Sequence, residues 1–239
     1  MDRDNTPQSR KPFVPNFNYH KKNVQWLYKL GFSPLILSAG MHRSGSTLLF
    51  NILKEILSLK YKTKLSSGWY GDLYKIPKGD AYLIKVHALT KLLRLRSKYI
   101  FYTFRDVRTA AVSANKVLNV PMSIDEIRNG INEYIKAKKT ADLTIQYEKL
   151  TGNTLNVIYD ILNVLSINAD AEAIYNKCMD VTMPSGSFSA GHIDDTLYHP
   201  GHITNTTDDE WRSKMPLSLQ KEITYEYEWW FKECGYPVE

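Results

Sequence analysis

One short loop of the chain has the residue types of a phosphate-binding site. The polar segment GMHRSGST runs from Gly40 to Thr47 and contains a second glycine, Gly45. An apolar run at Leu35–Ala39 precedes it and apolar residues at helical spacing follow it, which predicts a strand, a tight turn and a helix. Unpaired N–H groups at the start of a helix, together with the helix dipole, favour a bound anion. The segment therefore predicts an anion site.

The loop departs at one position from the common pattern of nucleoside triphosphate sites. In that pattern a lysine precedes the final serine or threonine and reaches the β- and γ-phosphates. Here that position is Ser46, and the cation of the loop is Arg43. The sequence therefore favours an anion other than ATP or GTP, over the alternative of an ordinary strand–turn–helix corner.

Polar groups also lie at or after the ends of the three later apolar runs: first Lys85 and His87, then Arg105 and Ser113, and last Tyr147. Ligands of open α/β sheets bind beyond the carboxyl ends of the strands, so these side chains are expected to face the glycine loop. Histidine is the commonest general base near neutral pH. An arginine and a serine together can hold one phosphate.

The alternation of apolar strands with helices predicts an α/β fold, with a central parallel sheet between two helical layers in a P-loop-like arrangement. Four strands are predicted, at Leu35–Ala39, Tyr82–Val86, Tyr99–Phe104 and Leu143–Tyr147. The main later helices are predicted at 123–139, 155–165, 170–179 and 217–234. Residues 60–80 are expected to form an irregular surface loop, and residues 183–209 a long loop of functional importance.

Composition limits the class of protein. Residues 1–18 contain three prolines and few apolar side chains, which predicts a flexible arm before a single domain at 19–239. The net charge of +6 suits an anionic ligand but is too small to imply nucleic acid. The two cysteines have neither metal nor disulfide spacing. No apolar stretch approaches the roughly 18 residues of a membrane span, and no signal-peptide core is present, so a cytoplasmic protein is expected.

Taken in order, the segments GMHRSGST, IKVH, YTFRDVRTAAVS and YEKL, with a late loop and a tryptophan, resemble the sulfotransferases. These enzymes use 3′-phosphoadenosine 5′-phosphosulfate (PAPS) as sulfuryl donor and release adenosine 3′,5′-bisphosphate (PAP). The resemblance implies transfer to a hydroxyl or an amine of a small molecule, without a metal. The chain departs from the family in having Arg43 where many cytosolic members have lysine, Leu48 in place of a tryptophan, and His199-Pro200-Gly201 in place of Arg-Lys-Gly.

The resemblance also implies which residues bind the donor. The 5′-phosphosulfate would be bound by the loop residues Arg43, Ser44, Gly45, Ser46 and Thr47. Arg105 and Ser113 would bind the 3′-phosphate, and Tyr147 would lie near the adenine. A late segment would cover the 3′-phosphate through His199, Gly201, His202, Ile203 and Thr204.

Three residues are expected to carry the chemistry of such a transfer. His87 would take the proton of the acceptor, Arg43 would meet the charge that grows on the departing 5′-phosphate, and Lys85 would neutralise a sulfuryl oxygen. The acceptor pocket is expected to include Trp69, Tyr70, Asp194 and Asp195. Carboxylates there would repel the donor, so they suggest a cationic or many-hydroxyl acceptor such as a natural product; the alternative is a solvated turn.

Two other functions stay open from the residues. One is a kinase for a nucleotide or small molecule, with a degenerate phosphate loop. The other is a non-catalytic module that binds adenosine bisphosphate or RNA, which the basic run at residues 91–98 would permit. The histidines and aspartates of the late loop lack fixed ligand spacing, so no metal site is expected.

Overall fold

In a computed structural model of the chain, five parallel strands form one sheet. The structure describes residue 26 and residues 30–180, 195–199 and 207–238. The strands lie in the order β2-β3-β1-β4-β5. Their bounds are β1 Leu35–Gly40, β2 Leu65–Trp69, β3 Ala81–Val86, β4 Tyr99–Phe104 and β5 Leu143–Gln146. The parallel sheet predicted from the alternating pattern is confirmed.

Nine α-helices connect and cover these strands within the described part of the chain. They are α1 Ser46–Tyr61, α2 Lys91–Arg96, α3 Val107–Leu118, α4 Ile124–Lys138, α5 Tyr147–Gly152, α6 Thr154–Leu165, α7 Ala171–Met179, α8 Glu210–Lys214 and α9 Leu217–Cys234. The later helices lie where the sequence predicts them. Gly235 ends α9 in the left-handed conformation, with a φ of 74°.

Two apolar clusters, one on each face of the sheet, form the core. Strand β1 is buried along its whole length, and successive residues point to opposite faces. Leu37 therefore packs with α3, α4 and α9 on one face, whereas Ile36 packs with α1, α6 and α7 on the other. A sheet that is buried on both faces explains why the strand sequences are apolar without alternation.

The expectation for residues 60–80 was wrong, because this stretch contains strand β2. It also contains two 3-10 helices, at Lys62–Lys64 and Tyr70–Lys75. Strand β2 has the sequence LSSGW and pairs with β3 alone, at the edge of the sheet. An edge strand need not be apolar on both faces, so the sequence of β2 lacks the apolar run that predicted the other strands. The fourth predicted strand ends one residue early, since Tyr147 begins α5.

The register of the sheet brings the polar ends of its strands to one edge. Gly40 of β1 lies beside Thr103 of β4, and Ala39 lies beside Val86 of β3. Trp69, at the end of β2, lies beside Lys85. The glycine loop and the residues after β3 and β4 therefore meet, as the sequence predicts for a parallel sheet. The predicted arm at 1–18 and most of the predicted loop at 183–209 lie outside the described residues.

Candidate active site

The loop after β1 is tied to β4 by the side chain of Ser44. Its hydroxyl lies 2.8 Å from the carbonyl oxygen of Met41, and 3.1 Å and 2.7 Å from the carbonyl and hydroxyl oxygens of Thr103. Ser44 and Thr103 have no exposed surface. A Cβ atom on Gly40 would lie 2.1 Å from Thr103 Oγ1, so only glycine fits there. The Ser44 hydroxyl thus holds the loop in its conformation, whereas the resemblance implied that Ser44 binds the 5′-phosphosulfate.

The N-terminus of α1 lies directly after the glycine loop, where the sequence predicts an anion site. Its N-cap is Gly45, with a φ of 80°, so no side-chain oxygen caps the helix. The first turn contains no acidic residue, whereas α3, α4 and α7 are capped by Asp106, Ser123 and Asp170. The N–H groups of the first turn of α1 therefore remain suited to an anionic ligand.

Arg43 reaches across from the loop to α3. Its backbone is left-handed, with a φ of 64°, and its Nε donates a 3.0 Å hydrogen bond to Ser113 Oγ. The pKa of Arg43 is lowered, chiefly because protein removes its hydration and also because Arg105 lies nearby. The structure therefore joins Arg43 and Ser113, which the sequence assigned to different phosphates of the donor.

Arg105 is more deeply buried than Arg43 and Lys85, the other two cations of the site. Its side chain is 4% exposed, and Nη2 donates a 3.1 Å hydrogen bond to Asp208 Oδ1. Its guanidinium carbon lies 4.0 Å from the centre of the Tyr147 ring. Tyr147 also packs against Gly45, where an added Cβ would come within 3.1 Å of the ring. Tyr147 thus contacts both the arginine and the loop, and the stacking on Arg105 was not expected from the sequence.

Lys85 lies in the middle of the site. It is 6% exposed, donates a hydrogen bond to Thr47 Oγ1 and lies 5.9 Å from the centre of the Trp69 ring. Burial, and then the charge of Arg43, lower the pKa of Lys85 to about 7. An anion at the N-terminus of α1 would stabilise the charged form of this lysine, because it would add the opposite charge to a poorly hydrated site.

The ring of His87 lies against the glycine loop. Its Nδ1 lies 2.8 Å from the carbonyl oxygen of Gly40. A carbonyl can only accept, so Nδ1 carries the proton, and Nε2 is the acceptor in the neutral ring. The ring stacks on His42, with centroids 4.0 Å apart, and lies 5.2 Å from the Trp69 ring. His87 therefore lies beside the glycine loop, as the strand-end rule predicts, and Trp69 lies beside His87.

His42 is the second imidazole of the site. Protein around the ring lowers its pKa by removing hydration, although part of the side chain contacts solvent, and Lys85 and Arg43 lower it further. All three causes keep His42 neutral near pH 7. A neutral ring stacked on His87 does not oppose the protonation of His87 as a second charge would.

The carboxylate that follows β4 is fully engaged within the protein. Asp106 accepts hydrogen bonds of 3.0 Å and 2.6 Å from Nε and Nη2 of Arg108. The arginine is wholly buried, between the rings of Trp211 and Phe231. Asp106 is thus a partner of Arg108 and a cap for α3. Among the described residues, no group of three or more His, Cys, Asp or Glu side chains is arranged to hold a metal ion.

The remaining predicted site residues lie elsewhere or outside the described part. Asp195 lies in an exposed turn, where its backbone oxygen accepts a 2.6 Å hydrogen bond from Lys54 of α1 and its carboxylate is 91% exposed. Tyr70 is half-buried at the start of a 3-10 helix, and His199 is buried. The predictions for Asp194, Gly201, His202, Ile203 and Thr204 concern residues outside the described ranges.

Two features of the site were missed by sequence reasoning. Asp208 comes from a segment about a hundred residues after β4, in a part of the chain whose pattern indicated only a loop. Glu148 follows Tyr147 and accepts a 3.1 Å hydrogen bond from the hydroxyl of Tyr236. Burial raises the pKa of Glu148, and the nearby Arg105 opposes that rise. Glu148 lies in the segment YEKL but was assigned no role, and no local pattern marks Asp208, because the tertiary fold brings both residues to Arg105.

Solved structures with this fold include a sulfotransferase and retinol dehydratase, each with PAP bound. Mouse sulfotransferase SULT7A1 complexed with PAP aligns with a TM-score of 0.59 and 14% identity, over 87% of this chain and 89% of that chain. Retinol dehydratase in complex with retinol and PAP aligns with a TM-score of 0.55 and 15% identity, over 91% and 85%. Retinol dehydratase with androsterone and inactive cofactor PAP aligns at 0.52 and 14%, over 90% and 85%.

These likenesses establish the fold of the chain as that of the sulfotransferases. No protein-family model matches the sequence, and no curated protein matches it. In the described residues, the helices are either too short or too polar to cross a membrane.

The lowered pKa of Lys85 predicts a specific pH dependence of stability. Between about pH 7 and pH 10 the unfolded chain holds a proton that the folded chain has lost, so the free energy of unfolding rises with pH; below pH 7 both states are protonated and this dependence disappears. Lys85→Met removes the titrating group. We expect the difference in stability, wild type minus variant, to rise by roughly 2–4 kcal/mol from pH 7 to pH 10.

Urea unfolding of the ligand-free proteins at several pH values measures this difference. Lys54→Met is the matched control, because the Lys54 side chain reaches solvent, being 25% exposed, and lies beside the exposed Asp195. A difference between wild type and Lys85→Met that stays constant over the range would show that Lys85 titrates normally in the folded chain.

Proposed function

We propose that this chain is a sulfotransferase that moves the sulfuryl group of PAPS to a hydroxyl or an amine of a small molecule. The observation that carries the proposal is a pair of clusters along one edge of the sheet, each of which is suited to an anion. One is the uncapped N-terminus of α1 with Lys85 beside it. The other is the cluster of Arg43, Ser113 and Arg105.

Two separate anion sites match a nucleotide with phosphates at two positions. PAPS carries a 5′-phosphosulfate and a 3′-phosphate, whereas ATP carries all its phosphates at one end. In the proposal, Ser46 and Thr47 offer N–H groups to the 5′ end, and Arg105 and Ser113 hold the 3′-phosphate. The PAP named in the solved structures of the same fold supports this assignment.

His87 would act as the general base. Gly40 fixes the proton on Nδ1, so Nε2 is the nitrogen that takes the proton of the acceptor. The acceptor oxygen or nitrogen then forms a bond to sulfur, while the bond from sulfur to the 5′-phosphate oxygen breaks. His87 ends the step protonated, and the leaving phosphate carries the negative charge.

Lys85 and the start of α1 would stabilise the charge that develops in this step. The lysine is already positioned by Thr47, and the helix N–H groups are fixed by the loop. Such preorganised groups contribute more than mobile ones, because they do not reorganise during the reaction. In this structure Arg43 donates a hydrogen bond to Ser113. In the proposal, its positive charge therefore lies between the 5′-phosphosulfate and the 3′-phosphate.

A kinase is less consistent with these residues. The loop has Ser46 at the lysine position, and the strand-end carboxylate of Asp106 is held by Arg108 on both oxygens. It is therefore poorly placed to bind a magnesium ion. A purely binding module would have no need for the tautomer of His87 that the Gly40 carbonyl fixes.

The acceptor would bind beside His87, next to Trp69. The Trp69 ring lies within 5.2 Å of the imidazole and is half-exposed, so it can contact an organic substrate. The exposed position of Asp195 beside Lys54 favours the alternative of a solvated turn over contact with a cationic acceptor. We therefore propose a small-molecule alcohol, phenol or amine as the acceptor.

The first prediction concerns ligand choice. PAP should raise the melting temperature of the protein clearly more than ATP with magnesium at equal concentration, because only PAP has a 3′-phosphate for Arg105 and Ser113. Thermal unfolding with each nucleotide measures the two shifts. Equal shifts, or a larger one with ATP, would contradict the proposal.

The second prediction concerns catalysis. His87→Ala should lower kcat by about 10²- to 10⁴-fold, the usual contribution of a general base, while the affinity for PAP changes little. Transfer of labelled sulfuryl groups from PAPS to a panel of phenols, alcohols and amines provides the assay.

His42→Ala provides the comparison, since His42 is the neighbouring imidazole. We expect a smaller loss in that variant than in His87→Ala. Near-normal turnover in His87→Ala together with a large loss in His42→Ala would assign the base role to His42 instead.

A further inference from the structure

A carboxylate already lies on the arginine to which we assign the 3′-phosphate. Asp208 Oδ1 accepts a 3.1 Å hydrogen bond from Arg105 Nη2. The two partners differ greatly in exposure, since the side chain of Arg105 is 4% exposed and that of Asp208 is 68% exposed. The arginine is therefore held in place by its surroundings, whereas the aspartate can turn into solvent at little cost.

The fold places Asp208 here through its backbone. The hydroxyl of Thr109, on α3, donates a 3.0 Å hydrogen bond to the carbonyl oxygen of Asp208. The N–H of Glu210 closes a turn on Thr207 at 3.2 Å, just as α8 begins. The side chain can therefore leave Arg105 by rotation, without movement of the backbone that carries it.

The charges around Arg105 make this carboxylate a competitor for an anionic ligand. Arg43 and Arg105 supply two positive charges, and Asp208 supplies a negative one beside them. A phosphate dianion bound to Arg105 would come close to the Asp208 carboxylate, and like charges at that distance repel strongly. Phosphate and carboxylate are therefore alternatives at the same guanidinium.

We propose that Asp208 determines affinity at the 3′-phosphate site, by occupying Arg105 when no nucleotide is bound. This inference rests on the proposed function. Both PAPS and PAP carry the 3′-phosphate, so the competition weakens the binding of donor and product alike. Its main consequence is faster release of PAP, because the returning carboxylate takes over the contact that the departing phosphate leaves.

Binding measurements on Asp208→Asn test this role. We expect PAP to bind about tenfold more tightly to the variant than to wild type, because a repelling charge is removed. Adenosine 5′-monophosphate, which lacks the 3′-phosphate, should change by less than about twofold. Isothermal titration calorimetry with both nucleotides gives the comparison.

Asp209→Asn is the matched control. It removes the same charge one residue further along, from a side chain that is 79% exposed and pairs with Arg212. We expect less than a twofold change in PAP affinity there. An equal gain in both variants would mean that net charge alone is responsible, and would overturn the specific role of Asp208.

A loss of PAP affinity in Asp208→Asn would also overturn it, because Asp208 would then order Arg105 for the ligand. Unchanged affinity would overturn it as well, because Asp208 would then not compete with the phosphate. Thermal unfolding checks that both variants fold. Absence of PAP binding by wild type would overturn the proposed function itself, whereas binding by wild type without a gain in Asp208→Asn would overturn the role of Asp208 alone.

Discussion

The hydroxyl group of Ser44 holds the loop after β1 against the end of β4, and the rest of the site depends on this contact. The hydroxyl has one proton and lies within bonding distance of two carbonyl oxygens and of the Thr103 hydroxyl. Buried polar groups that are fully bonded in this way fix a single loop conformation. Gly40 makes the close approach of loop and strand possible. The start of α1 and the Gly40 carbonyl that orients His87 are placed by the same contact.

A second constraint is electrostatic. The fold gathers Arg43, Lys85 and Arg105 at one edge of the sheet, where burial removes much of their hydration. The pKa values of Lys85 and Arg43 are lowered as a result. A site that holds positive charge at this cost in hydration is suited to an anion, because the anion neutralises that charge. In our proposal the two ends of PAPS supply that anion, and Asp208 partly supplies it in their absence.

Much of the fold could be predicted from the sequence, because the central strands are apolar and buried on both faces. Strands β1, β3 and β4 lie where their apolar runs are, and the strand-end rule correctly brought His87, Lys85 and Arg105 to the glycine loop. Strand β2 was missed, since an edge strand of sequence LSSGW carries little apolar signal. Its last residue, Trp69, was nonetheless expected near a ligand and does lie beside His87.

The detailed contacts of the site could not be predicted, because they depend on where the backbone directs each side chain and not on the type of residue. The left-handed backbone of Arg43 aims its side chain at Ser113, and nothing in the sequence fixes that φ. Tyr147 was predicted to end a strand and to lie near the adenine, whereas it begins α5 and its ring packs against Arg105. Asp208 lies 103 residues beyond Arg105, so only the tertiary fold reveals the pair.

The most direct measurement is a crystal structure of this chain with PAP bound. The account predicts the 5′-phosphate at the N–H groups of Ser46 and Thr47, and the 3′-phosphate within hydrogen-bond distance of Arg105 and Ser113. It also predicts that the Asp208 carboxylate has turned away from Arg105. A nucleotide bound in the reverse direction, or bound away from this edge of the sheet, would contradict the account.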